Sequence, residues 1–167
     1  MLAKANMCVG APPQTRLEKT LALYHFRGTI VKRSEGRSVV AAAAYRAAER
    51  LVDQRQGRVW NYTRKERVLH TEILLPDIGG PLPGFTKSRS DLWNAVEATE
   101  KRKDSQVARE IRFALPMELN PDDRLALARS FVLQQFVDRG MIADLAIHDT
   151  ADGNPHAHVM LATRADG

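Results

Sequence analysis

The chain has a single cysteine, Cys8, among its 167 residues. That excludes an internal disulfide and a zinc site built on several thiolates. No apolar run approaches the roughly 20 residues needed to span a bilayer, and residues 1–20 lack the apolar core of a secretion signal. The expectation is a cytoplasmic protein that does not insert into membrane. Aromatics make up only 6% of the chain, with three tyrosines, so few phenols are available for chemistry. Histidines are also few, and their placement is the first positive signal. Three of the five, His148, His156 and His158, fall within eleven positions.

The length suits one domain, and 44% hydrophobic residues can build one core. The net charge of +5 hides a local concentration. Residues 27–67 hold eleven Lys/Arg against four Asp/Glu, a surplus of +7 that leaves the remainder at −2. Such a segment suggests a face held against phosphates, with a solvated basic surface as the alternative.

Residues 1–20 have little periodicity and read as a flexible leader, and residues 21–167 as the domain. Residues 21–31 alternate as a first strand. Ser38 can cap a helix running to about Gln54 through four alanines. Residues 59–62 and 68–75 read as a β-ribbon joined by a basic turn at 63–67, and residues 79–84 as a Pro/Gly loop. Helices are expected over 92–103 and, opened by Asn120-Pro121, over 121 to about 139, stopped by Gly140. A strand over 109–115 and a hairpin over 141–163 complete the order. This sequence of elements predicts a two-layer α+β fold with helices on one face of an antiparallel sheet.

In a strand, residues two apart share a face. His156 and His158 therefore project together, and a hairpin through Asp149–Pro155, rich in turn formers, brings His148 opposite them. Three neutral imidazoles on one face make a divalent-metal site with open positions. Tyr45 is the conspicuous large polar residue of the alanine-rich helix. Small neighbours leave its hydroxyl accessible for attack on phosphorus, although a phenol needs help to lose its proton near neutrality. The alternative is a boundary tyrosine with its hydroxyl in water. Glu110 lies on the strand face opposite Ile111, Phe113 and Leu115. It can orient a ligand imidazole, or pair at the surface with Arg109 or Arg112.

Several stretches, in this order, resemble the relaxases of conjugative and mobilisable plasmids. They are Tyr24-His25-Phe26, Gly36–Val40 with Ala43-Ala44-Tyr45-Arg46, and Tyr62-Thr63-Arg64-Lys65. Leu92–Glu97 follows, then Ala108-Arg109-Glu110 with Ala114–Leu119, and Ile147-His148 with Gly153–Met160. The chain is similar to the MobA/MobL (MobQ-like) family of the HUH superfamily, in particular the relaxase end of TraA-type relaxase–helicases. The resemblance implies a five-stranded antiparallel sheet with flanking helices. It implies strand-specific nicking of single-stranded origin-of-transfer DNA, with Tyr45 keeping the 5′ phosphate and Glu110 orienting a ligand histidine. His148, His156 and His158 would hold one divalent ion, Mn or Mg first, with Zn, Ni or Co as further candidates. Arg37, Arg46, Tyr62, Arg64, Lys65 and Arg67 would contact the single strand and adjacent duplex. Relaxosome accessory proteins and a coupling protein are the implied partners. Relatives continue beyond the histidines, so the chain reads as an N-terminal fragment of a longer protein.

Three other readings compete. A rolling-circle replication initiator shares the chemistry but usually carries its tyrosine after the histidine pair. A non-catalytic DNA-binding module would share the basic face without cleaving. A cupin-type oxygenase needs a histidine downstream of His158, and none follows.

Overall fold

A computed structural model describes residues 25–77, 79, 83–101, 106–151 and 153–162. The leader, Tyr24, Cys8 and part of the 79–84 loop lie outside the described residues. Seven strands and three α-helices are present among the described residues: β1 (Arg27–Lys32), α1 (Val39–Ala47), β2 (Arg50–Asp53), β3 (Arg58–Asn61), β4 (Val68–Leu74), α2 (Arg89–Thr99), β5 (Gln106–Ala114), α3 (Pro121–Gln135), β6 (Ala143–His148) and β7 (His156–Ala162). Five strands form one antiparallel sheet in the order β1-β5-β7-β6-β4. Strands β2 and β3 form a separate two-stranded ribbon. The expected α+β fold, a five-stranded antiparallel sheet with flanking helices, is what the chain adopts.

The helices occupy both faces of the sheet rather than one. On the first face Val39, Val40, Ala43 and Ala44 of α1 and Leu92, Trp93 and Val96 of α2 pack on Ala108, Met160 and Ala162. On the second, Ala128 and Val132 of α3 pack on Phe113, Leu145, Ile147, Ala157 and Val159. Strand β6 is buried at every position because it is covered from both sides. Its near-continuous apolar run, from Ala143 to Ile147, is the trace of that double burial.

Buried acids tie the first-face helices together. Glu97 accepts from the Val39 amide at the start of α1 (3.1 Å) and from Arg33 and Arg55 (both 2.9 Å), which suits a negative charge at a helix N-terminus. The Ser38 hydroxyl accepts from Ala41 N (3.1 Å) and donates to the fully buried Asp53. Asp144 accepts from both Arg89 (2.8 Å) and the Trp93 indole (2.8 Å).

Two further expectations differ from the structure. The helix begun at Ser38 ends at Ala47, not near Gln54, because Ala48 turns into the left-handed region at φ 55°. Residues 50–53 then alternate exposed and buried as β2. The run is too short for its period to outweigh the helix-forming alanines before it. The ribbon expected between 59–62 and 68–75 does not form. Strand β3 turns back on β2, with Gly57 at φ 62° in the turn, and β4 pairs with β6. Alternation marks a strand but does not name its partner.

Candidate active site

Register sets the site. Across the β6–β7 hairpin His148 pairs with His156, and Ala146 with His158, so the three imidazoles share the first face. Met160 and Ala162 lie on that same face further along β7 and are covered by the α1/α2 core. The histidines line a cleft of about 510 Å³ together with Tyr45, Arg46, Lys65, Arg67, Glu110 and Arg112. Ring centroids are 4.5 Å apart for His148–His158, 4.9 Å for His156–His158 and 5.9 Å for His148–His156. One ligand nitrogen from each ring lies within 4.8 Å of the others.

Each ring also has an oxygen that orients it. His148 Nε2–H donates to the Arg46 carbonyl (2.6 Å), His156 Nδ1–H to the Asn154 carbonyl (3.0 Å), and His158 Nδ1–H to Glu110 Oε1 (3.1 Å). Carbonyl and carboxylate oxygens can only accept here, so each contact selects the tautomer and leaves the other ring nitrogen with a lone pair. Burial pushes His148 down to about 4, only partly opposed by its bond to Arg46. Burial likewise lowers His156 and His158. All three are therefore neutral near pH 7, the form in which imidazole binds a metal.

Glu110 is the hub beneath them. Arg46 Nε donates to Oε1 (2.6 Å) and Arg46 Nη2 to Oε2, alongside the bond from His158. Burial opposes ionisation, but the His158 and Arg46 bonds outweigh it and hold the carboxyl at about 2. Arg46 is thus tied to a carboxylate and joins α1 to β5, the strand beside β7, rather than standing free for phosphate.

Tyr45 sits one residue earlier on α1. The buried stripe Val39, Val40, Ala43, Ala44 and Ala47 turns it outward, and it is 48% exposed. Tyr62 approaches its ring edge-on, with centroids 5.3 Å apart at 89°. Lys65 does not extend from a ribbon tip as expected. Its Nζ lies 3.8 Å from the Tyr45 ring centroid and donates to the Tyr45 carbonyl (2.9 Å). Burial, with the Arg46 charge adding to it, lowers Lys65 to about 8.

The remaining predicted DNA contacts divide. Arg37 lines the cleft and pairs with Glu35 (3.0 Å). Arg67 lines it with its backbone at φ 66°, a strained setting for a non-glycine residue. Its carbonyl accepts from Asp149 N (3.0 Å) and its Nη1 donates to the Thr150 carbonyl (3.3 Å). Arg64 is exposed and is not among the residues lining the cleft. Arg27, the first residue of the basic segment, and Arg112, expected only as a possible partner of Glu110, are cross-strand partners and both line the cleft. A further cavity of about 450 Å³, bordered by Phe26, Arg27, Arg112 and His156, adjoins it.

The family model described as the MobA/MobL family matches residues 37–166. The chain belongs to the MobA/MobL family. Among curated relatives, the conjugal transfer protein TraA of Rhizobium radiobacter is 42% identical over 151 residues, covering 86% of this chain and 14% of the relative. The mobilization protein MobL of Acidithiobacillus ferridurans is 44% identical over 129 residues, covering 77% of this chain and 32% of the relative. A solved structure described as the molecular basis of vancomycin resistance transfer in Staphylococcus aureus superposes with a TM-score of 0.78 at 38% identity, over 87% of this chain and 73% of that one. This MobA/MobL chain thus spans a small part of the TraA relatives' length. Among its described residues no helix is long and apolar enough to cross a membrane.

Proposed function

We propose that this chain is the nicking domain of a plasmid relaxase acting on single-stranded origin-of-transfer DNA. The observation that carries the reading is the meeting, in one basic cleft, of an exposed helical tyrosine and three neutral imidazoles, two buried and the third nearly so, with one ligand nitrogen each. The Tyr45 oxygen attacks the scissile phosphorus, and an O–P bond forms as the bond from phosphorus to the 3′ oxygen breaks. The tyrosine proton passes to solvent or a neighbouring base, and the departing 3′ oxygen is protonated. The 5′ phosphate remains esterified to tyrosine, so a 3′ hydroxyl can reverse the reaction without ATP.

His148, His156 and His158 would hold a divalent ion, and their donor set fits one because all three are neutral and each is oriented by an oxygen. When bound, the ion supplies positive charge for the non-bridging oxygens of the scissile phosphate. Glu110 keeps the His158 ring in its ligand tautomer and anchors Arg46, which carries the helix of the nucleophile. Arg37, Arg67, Arg27 and Arg112 supply the charge that draws the DNA backbone into the cleft. Tyr45 precedes the histidines in the chain, which favours this reading over a replication initiator.

The test is incubation with labelled single strands from the origin region in Mn or Mg. A band that survives denaturation at the mass of protein plus oligonucleotide supports the proposal. Tight binding without such a band, in either metal, would reduce the chain to a DNA-binding module.

A further inference from the structure

We propose that Lys65 is a positioning residue for the Tyr45 nucleophile, rather than a contact to the DNA backbone. The inference rests on the reading of Tyr45 as nucleophile. One ammonium engages both parts of the same residue. Its Nζ sits 3.8 Å from the ring centroid and donates to that residue's own carbonyl at 2.9 Å. Among the described residues no carboxylate pairs with Lys65, so ring and carbonyl are its partners. Of the acids that line the same cleft, Glu110 is engaged by Arg46 and His158.

The geometry suits a clamp. Lys65 covers a face of the ring and Tyr62 meets it edge-on, while Tyr45 stays 48% exposed. A cation over an aromatic face is attracted by the ring quadrupole. Here it restricts the side-chain torsions that aim the phenol, without covering the residue. Holding a reacting atom near its attack geometry removes entropy from the barrier before substrate arrives. Lys65 lies in the segment joining β3 to β4, and the next residues are pinned by the Arg67 carbonyl to Asp149 N. The clamp is thereby tied to the turn after His148, so nucleophile and imidazoles share one support.

The test uses the whole chain with 3-fluorotyrosine incorporated, the Tyr45 signal being assigned with Tyr45→Phe. In Lys65→Met the Tyr45 fluorine resonance should shift and sharpen, and Lys65→Arg, which can also cover the ring, should restore it. Single-turnover adduct formation should fall about ten- to hundredfold in Lys65→Met and recover to within about threefold in Lys65→Arg. Affinity for the same oligonucleotide, measured in a Tyr45→Phe background, should change less than about twofold, with an unchanged salt slope. An unmoved resonance with weaker binding and a salt slope flatter by about 0.7 would make Lys65 a phosphate contact and overturn the proposal. Adduct formation by Tyr45→Phe would overturn the nucleophile reading and this one with it. Adduct lost in Tyr45→Phe but formed at full rate by Lys65→Met would overturn this one alone.

Discussion

Replacing Glu110 by Gln removes one negative charge from the point where α1, β5 and β7 meet, with little change of shape. The carboxylate accepts two bonds from Arg46 and one from His158, and its side chain is 12% exposed. Gln keeps one acceptor oxygen but turns an amide toward groups that are themselves donors. The size of the effect can be worked from linkage, because Gln resembles the protonated acid. The carboxyl lies at about 2 in the fold against an ordinary 4.5, which corresponds to about 3 kcal/mol at pH 7. The sign follows from a depressed acid: this stability is fully present above about pH 4.5 and is lost as pH falls through the folded value. The gap between parent and variant should thus shrink to roughly half at pH 3. Urea unfolding at both pH values, followed by circular dichroism, measures it. Metal affinity should fall roughly 10–100-fold, since the His158 tautomer loses its charged partner. A stability gap below about 0.5 kcal/mol at pH 7, together with unchanged metal affinity, would refute the hub assigned to Glu110.

Ser38→Ala removes both the α1 cap and a partner of buried Asp53, so urea unfolding should show a loss of about 2–3 kcal/mol. In metal-free protein, His148 at about 4 must stay neutral in the fold while the unfolded chain protonates near 6.5. Its contribution of about 3 kcal/mol is complete above pH 6.5 and disappears as pH drops toward 4, which unfolding curves across that window should follow and a His148→Gln variant should flatten. Calorimetric titration of Mn into metal-free protein should find one site per chain, abolished in the His156→Ala/His158→Ala double variant. Unchanged binding there would remove the three-histidine assignment.

The β6–β7 hairpin was legible in the sequence because local signals agree. Alternation on each side of Asp149–Pro155 sets the face, and the turn formers set the crossing, so His148 meets His156 as expected. The ends of α1 and α3 divide in the same way. Their starts carry side-chain caps, Ser38 and Asn120, whose residue types mark a helix N-terminus locally. The end of α1 rests on Ala48 in a left-handed conformation, for which alanine gives no warning. The partners of β3 and β4, and the second covered face of the sheet, depend on tertiary packing that no local pattern encodes. The site shows the same boundary. Glu110 could be placed on the histidine face by alternation, but its bond to Arg46 joins residues 64 apart in sequence. Lys65 looked like an exposed basic turn residue because nothing in its neighbours marks its contact with Tyr45. The buried acids Asp53, Glu97 and Asp144 were equally invisible, since a carboxylate is tolerated in a core only through cations and donors supplied from elsewhere in the chain.

The most direct measurement is the site of covalent attachment. The protein is reacted with an origin-region single strand in Mn, digested with protease and nuclease, and its peptides are sequenced by mass spectrometry. The expected result is one nucleotide-modified peptide, with the 5′ phosphate on the Tyr45 oxygen and no such peptide from Tyr45→Phe. A phosphate mapped to Tyr62, to Tyr24 or to any other side chain, or an adduct that persists in Tyr45→Phe, would contradict it.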